Sequence, residues 1–205
     1  MSIHGPVKPS LLTFDIFGTV VDWRKGLGER DFERLVDVQG ELEQARFRSY
    51  AEIVAESLVR VRGLDVVSAA RIGAEVGTWP LFPDSRDALR RIQRLAPCAA
   101  TTNSDRAHGE QMQAQLGFRL AGWICAEEVR AYKPDRRIWE AASRKMGAPF
   151  GPDWWHVSAY ADYDLRTARE LGLTCVFVQR PHSRPGTADV TVPDLAALAD
   201  LVEAA

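Results

Sequence analysis

The chain has 205 residues, 46% of them hydrophobic and 26% charged, which is the composition of a globular protein with a core of its own. It carries 26 Lys and Arg against 28 Asp and Glu, a formal charge of -2 that gives no reason to expect nucleic acid or an anionic membrane as a partner. We therefore expect a small-molecule substrate, and a homodimer is compatible with the sequence.

The cysteines and the N-terminus indicate the compartment. Cys98, Cys125 and Cys175 lie far apart, each in or beside an apolar run. Their odd number and wide spacing favour reduced, buried thiols over disulfides or zinc ligands. The first ten residues lack the apolar segment of a signal peptide, and no run approaches the roughly 20 apolar residues of a membrane-spanning helix. The sequence thus predicts a protein of the reducing cytoplasm.

Short apolar runs alternate with longer helical patterns along the chain, which predicts a mainly parallel sheet covered by helices. The runs are continuously apolar, as is usual for strands that are buried on both faces. The predicted strands are residues 11–14, 98–101, 122–125, 155–158 and 174–178, with a short edge strand at 189–192 before a final helix from about Asp194.

The segment between the first two strands is too long for a simple crossover. Residues 25–38, 41–61 and 66–76 have helical patterns, with breaks near Gly40 and Gly63. We expect a small helical cap over residues 23–80, inserted into an α/β core of residues 1–22 and 81–205. Residues 82–85 are typical of a turn and a helix N-cap that return the chain to the core.

A carboxylate directly follows the first strand. In an open parallel sheet, ligands bind at the carboxyl ends of the strands, where Asp15 would face the crevice. A lone Asp in that place more often caps a turn. Gly18 and Thr19 favour a function, because a flexible residue and a hydroxyl after the strand let backbone N–H groups gather around an anion.

Polar residues also follow later strands. Thr102 and Asn103 end the second strand, as a polar turn or as hydrogen-bond donors to a ligand. Lys133 lies in a loop whose proline disfavours helix, and by itself it would be taken for a solvated surface residue. Asp162 and Asp164 follow the fourth strand, where they could be ordinary charges at a helix start.

The order of these residues resembles the four-motif signature of the haloacid dehalogenase superfamily, over nearly the whole chain. The resemblance implies a Rossmann-like, doubly wound parallel sheet with a helical cap inserted after the first motif. It also implies that Asp15 is the nucleophile, Thr102 the hydroxyl of the second motif, Lys133 the ammonium of the third and Asp164 the last acidic residue.

Position 17 distinguishes branches of this superfamily. Its phosphatases resemble one another in a second Asp two residues after the nucleophile, which protonates the leaving alkoxide. This chain has Phe17 there, and a halide leaves without a proton. Residues 15–24 and 127–135 look most like the L-2-haloacid dehalogenase branch. That likeness implies that a short (S)-2-haloacid is converted to a 2-hydroxy acid through an aspartyl ester, with no cofactor.

The same resemblance suggests substrate-binding residues and shows two departures. Residues expected to hold the substrate carboxylate or the halide are Thr19, Thr102, Asn103 and a cap arginine, either Arg46 or Arg48, while Phe17 and Trp139 line the apolar side. Trp139 stands near the place of a Tyr in that branch, and Ala159 and Ala161 stand where a Ser and an Asn are usual.

The expected mechanism gives each charged residue a role. Asp164, or failing that Asp162, guides the water that cleaves the ester. Lys133 keeps Asp15 ionised by lowering its pKa by about 1–3 units. One alternative is a magnesium-dependent phosphatase or phosphonatase-like hydrolase, with Asp15, the Phe17 carbonyl and Asp164 as metal ligands.

Another alternative is a weakly active member of the superfamily that is retained as an interaction protein. The alanines at positions 159 and 161 are its best support.

Overall fold

Six parallel strands form the sheet of this protein, in a computed structural model that describes residues 8–205. The first ten residues are expected not to form a signal peptide, and most of them lie outside the described residues. The strand order is β3-β2-β1-β4-β5-β6 and every neighbouring pair is parallel. The strands, each within one residue of its expected bounds, are β1 (Leu11–Phe14), β2 (Cys98–Thr102), β3 (Gly122–Cys125), β4 (Trp154–Ser158), β5 (Thr174–Val178) and β6 (Val190–Val192).

Helices cover both faces of this sheet and fill the long segment after β1. That segment holds α1 (Trp23–Leu27), α2 (Phe32–Glu43), α3 (Tyr50–Arg62), α4 (Val66–Ala74) and a 3-10 turn (Val76–Thr78). On one face of the sheet lie α5 (Ser85–Ile92), α6 (Arg106–Leu116) and α10 (Leu195–Ala204). On the other lie α8 (Arg137–Met146) and α9 (Arg166–Glu170), with α7 (Ala126–Val129) and a π-helical turn (Ala161–Leu165) as connections. The α/β architecture with helices inserted after the first strand is confirmed.

The breaks between the inserted helices only partly match expectation. Gly63 ends α3 with a positive φ of 66°, as predicted, whereas Gly40 lies inside α2. A single glycine costs a helix only about 1 kcal/mol, so packing overrides it. The break comes instead before Ser49, which forms a capping box with Glu52 and starts α3. An earlier break, at Asp31 with φ 56°, separates α1 from α2.

Residues 82–85 make the expected turn, but Asp84 does not cap α5 through its side chain. Its carboxylate accepts hydrogen bonds from the Arg180 guanidinium (3.0 and 3.1 Å) and from the backbone N–H of Leu195 (2.7 Å). Asp84 therefore joins the start of α5 to the start of α10. All three cysteines are buried free thiols, and no helix within residues 8–205 is long and apolar enough to cross a membrane.

The loop after β2 anchors the inserted helices to the sheet. Asp105 accepts hydrogen bonds from the backbone N–H groups of Tyr50 and Ala51, each at 2.9 Å, so a core carboxylate caps the first turn of α3. The Tyr132 hydroxyl donates to the carbonyl oxygen of Arg48 (2.8 Å) from the next loop of the core. These contacts fix one wall of the crevice above the ends of the strands.

We expect Asp105→Ala to destabilise the protein by about 1–3 kcal/mol, because two buried N–H groups at a helix start lose a charged acceptor. Urea unfolding measures the change. Asp87→Ala is the matched control, since Asp87 is exposed on α5, and it should change the free energy of unfolding by less than about 0.5 kcal/mol. Equal stability of the two variants would contradict the anchoring role.

Candidate active site

A buried ammonium joins two carboxylates at the carboxyl ends of β1 and β4, where the strand order reverses direction. Lys133 Nζ lies 2.8 Å from Asp15 Oδ1 and 2.7 Å from Asp164 Oδ2. The side chains of Lys133 and Asp164 are fully buried, and that of Asp15 is 6% exposed. The structure therefore brings together three of the four residues expected to be catalytic, and of its two carboxylates Asp15 is the one that reaches the crevice.

The turn after β1 holds the second oxygen of Asp15. The Thr19 hydroxyl donates to Asp15 Oδ2 (2.7 Å) and accepts from the backbone N–H of Ala159 (2.9 Å). The Gly18 N–H donates to the Val21 carbonyl, so it is not free to gather around an anion as expected. Gly18 is needed for another reason: it has φ 96°, and a Cβ there would lie 2.0 Å from the hydroxyl of Tyr160.

Burial and the neighbouring charges shift the pKa values of Asp15, Lys133 and Asp164 in opposite directions. Burial raises the pKa of Asp15, and the attraction of Lys133 offsets only part of that rise. Burial also acts against the Asp164 carboxylate and the Lys133 ammonium, but there the neighbouring charges outweigh it, lowering the pKa of Asp164 and raising that of Lys133. Lys133 therefore acts on the Asp15 pKa in the expected direction, lowering it, but burial is the larger effect.

A chain of buried hydrogen bonds continues from Asp164 into the sheet. Asp164 Oδ1 lies 3.0 Å from His156 Nε2, and His156 Nδ1 lies 2.9 Å from the hydroxyl of Thr13. That hydroxyl also accepts from Trp154 Nε1 (2.8 Å), and the ionised Asp164 carboxylate can only accept from the histidine ring. This pattern assigns the ring proton of His156 to Nε2, from which it is donated to Asp164. His156 therefore orients Asp164, and through it Lys133.

A cavity of about 1040 Å³ opens above Asp15, between the strand ends and the inserted helices. Phe17 forms part of its wall and packs against Tyr50 and Trp79, with ring centroids 6.0 and 6.1 Å apart. Of the predicted residues, Asp15, Phe17, Thr102, Asn103, Lys133 and Asp162 line the cavity. They are joined there by residues that the sequence did not single out, among them Glu43, Phe47, Tyr50, Arg130, Tyr132, Tyr163 and Arg184.

Comparison with known proteins decides the family. Residues 9–172, well over half of the chain, match the family model of the haloacid dehalogenase-like hydrolases. The chain belongs to this family.

The chain is also similar to curated proteins of known activity. An (S)-2-haloacid dehalogenase from Pseudomonas fluorescens is 28% identical over 102 residues, which are 48% of this chain and 44% of that protein. The match thus spans less than half of the curated relative.

Solved structures share the fold over almost the full length. The L-2-haloacid dehalogenase PA0810 has a TM-score of 0.83 at 24% identity, covering 96% of this chain and 100% of its own. The L-2-haloacid dehalogenase of Xanthobacter autotrophicus with covalently bound chloropropionic acid has a TM-score of 0.81 at 16% identity, covering 95% and 98%.

The structure does not agree with the roles that the sequence suggested for three residues. Asp164 does not line the cavity, and both its oxygens are engaged by Lys133 and His156, so it is not placed to guide a water molecule. Thr19 is fully buried behind Asp15 and holds the nucleophile, not the substrate. Trp139 is also fully buried, with its ring edge-on to His156 at 5.6 Å between centroids, because α8 packs against the sheet there.

The two cap arginines also lie away from the cavity wall. Arg46 is exposed, and the Arg48 guanidinium is bonded to the Glu56 carboxylate on α3. Arginines that do line the cavity include Arg130 and Arg184, both from core loops. The sequence did not indicate these two arginines, because their loops lie far along the chain from the inserted helices and meet them only after folding.

A π-helical turn carries Asp164. The N–H of Leu165 donates to the Tyr160 carbonyl (3.2 Å), five residues back, which is the π-helical hydrogen-bond pattern. Ala161 is the first residue of this turn and Ala159 lies two residues before it, so neither position supplies a polar side chain.

The magnesium ligands of the phosphatase alternative would be Asp15, the Phe17 carbonyl and Asp164. The Lys133 ammonium lies within 2.8 Å of both carboxylates and already neutralises part of their charge. Within residues 8–205 no group of three or more His, Cys, Asp and Glu side chains is arranged to hold a metal ion.

We expect Lys133→Met to shift the acid limb of the hydrolase rate to higher pH by about 1–3 units. The reaction needs ionised Asp15, so rate is lost as pH falls through the Asp15 pKa. Burial already raises that pKa, and removal of the ammonium raises it further. The rate deficit should therefore shrink as pH increases.

The measurement is a pH–rate profile of both proteins, with circular dichroism to verify folding. Lys145→Met removes an exposed ammonium and serves as the control, with a profile like the wild type. Superimposable profiles for Lys133→Met and the wild type would show that Lys133 does not set the ionisation of Asp15.

Proposed function

We propose that the protein is an (S)-2-haloacid dehalogenase, which displaces halide from a short 2-haloalkanoic acid. The observation that carries the proposal is Asp15, an ion-paired carboxylate at the floor of a cavity, with apolar Phe17 in the position of the phosphatase general acid. A nucleophile without a general-acid carboxyl two residues further on suits a leaving group that departs as a stable anion.

In the first step, an oxygen of Asp15 attacks the carbon that bears the halogen. The new carbon–oxygen bond forms as the carbon–halogen bond breaks with its electron pair, so halide leaves and the configuration inverts. Lys133 and Thr19 hold the carboxylate at 2.8 and 2.7 Å, which fixes its orientation before attack. Thr102 and Asn103, at the cavity wall, are the proposed donors to the substrate carboxylate or the halide.

In the second step, water attacks the ester carbonyl of Asp15 and releases the 2-hydroxy acid. Of the two carboxylates considered for this water, Asp162 is the one that lines the cavity. The Lys133 ammonium stabilises the negative charge that develops on the former Asp15 carboxylate oxygen. Neither step involves a metal or an organic cofactor.

Named relatives support this choice of reaction. The curated protein with 28% identity is an (S)-2-haloacid dehalogenase, and a structure of the same fold holds chloropropionic acid covalently. Their names describe those proteins; here they support the substrate class proposed from Asp15 and Phe17. A small-molecule reaction of this kind also agrees with the near-neutral charge of the chain, and the cytoplasm is its proposed location.

Isotope labelling tests the covalent step. In a single turnover in water with heavy oxygen, the label should enter the Asp15 side chain and not the product, because water attacks the ester carbonyl. Mass spectrometry of the peptide that contains Asp15 measures it. Asp15→Asn should abolish halide release, whereas Asp162→Asn should still release one equivalent of halide but label Asp15 more slowly, because the ester then accumulates. Label found directly in the hydroxy acid would rule out the ester.

Substitution of Phe17 tests the choice between halide and phosphate. Phe17→Asp should lower halide release at least about tenfold, since a like charge several Å from Asp15 costs about 2–4 kcal/mol at an effective dielectric constant near 20. Phe17→Leu preserves the apolar wall and should keep most of the rate. Wild-type halide release should persist with a chelator.

One result would contradict the proposed substrate class. Hydrolysis of phosphate esters with magnesium, with no halide release from any short 2-haloacid, would refute the proposed substrate class.

A further inference from the structure

One of the acidic side chains of the cavity comes from the inserted helices and contacts the site. Glu43 is the last residue of α2, lines the cavity and is half-buried. Asn103 Nδ2 lies 3.3 Å from Glu43 Oε2, and Asn103 Oδ1 accepts from the backbone N–H of Lys133 (2.7 Å). Glu43 is thus linked through one amide to the residue that holds the nucleophile.

The surroundings of Glu43 favour its neutral form. Burial raises the pKa of Glu43 to about 8, and the attraction of Lys133 and the Asn103 hydrogen bond offset only part of this rise. The amide donates to Oε2, and no other hydrogen bond reaches this carboxyl from the residues that the structure describes, so Oε1 is available to carry the proton. At neutral pH this carboxyl is therefore a hydrogen-bond donor directed at the cavity.

Three tyrosines and one lysine face Glu43 and stay in one charge state over the range in which it titrates. They are Tyr50 from α3, Tyr132 and Lys133 from the loop after α7, and Tyr163 from the π-helical turn. Burial raises the pKa of each tyrosine above its ordinary value, and the two carboxylates beside Lys133 raise its pKa, so none of the four changes charge near pH 8. Glu41 and Asp15 share the cavity wall.

We propose that Glu43 is a specificity-determining residue, which as a neutral acid donates a hydrogen bond to the carboxylate of the substrate and as a carboxylate excludes it. The inference rests on the proposed function, because it takes the substrate to be a small organic anion. The cavity floor already holds Asp15, so ionised Glu43 adds a further negative charge to the wall that the anion must approach. Binding should weaken as pH rises through the Glu43 pKa.

Propionate binding tests this without turnover, because propionate has the carboxylate but no halogen. In calorimetry, the wild-type dissociation constant should rise about tenfold from pH 7 to pH 9, as expected when the bound anion requires the protonated form. Glu43→Gln resembles the neutral acid in shape and hydrogen bonding. It should bind at pH 9 within about twofold of the wild type at pH 7.

Glu41→Gln is the matched control, since Glu41 is an exposed glutamate of the same helix that also lines the cavity. It should keep the pH dependence of the wild type. The inference is overturned if propionate does not bind at pH 7, if wild-type affinity is independent of pH, or if Glu43→Gln loses affinity in parallel with the wild type. Halide release is assayed separately. Failure of that assay alongside pH-dependent propionate binding would refute the dehalogenase reaction and leave the role of Glu43 standing.

Discussion

The site depends on one buried ammonium. Lys133 is within 2.8 Å of both Asp15 and Asp164, and removing one partner of such a buried group costs about 3–5 kcal/mol, because it leaves a charge without compensation. The two carboxylates are not equivalent. Asp164 is enclosed and held by His156, whereas Asp15 retains access to the cavity. The same ion pair thus supplies both a structural carboxylate and a reactive one.

The sheet explains why these residues meet. Strand order reverses at β1, so the loops after β1, β2 and β4 and the loop that carries Lys133 converge on one crevice. The inserted helices close that crevice and are fastened to it by Asp105 under α3. Their aromatic side chains, with Phe17, make the wall apolar where a phosphatase would hold a proton donor. A halide requires no such donor, and an apolar wall keeps the carboxylate poorly hydrated.

Asp15 and Glu43 share one cavity but have different partners. Asp15 has an ammonium and a hydroxyl as hydrogen-bond donors, while Glu43 has one amide. Desolvation acts on both, but only Asp15 has a cation in contact with it. In the proposed reaction, the cavity would therefore combine Asp15 as a nucleophile with Glu43 as a neutral acid. This division of roles would let an anionic substrate approach a site that contains a carboxylate.

The sequence by itself determined the strands and helices in chain order, the resemblance to the family, and the choice of Asp15, Lys133 and Asp164 as residues of the site. Continuous apolar runs, and the polar residues directly after them, are local features that can be recognised without the fold. It did not determine what those side chains touch. The π-helical turn before Asp164, the burial of Trp139 and Thr19, and the bond between Arg48 and Glu56 all follow from packing between distant segments. The contact of Glu43 with Asn103 joins residues 60 positions apart. The charge states that matter for function are set by such contacts, since desolvation and neighbouring charge exist only in the folded chain.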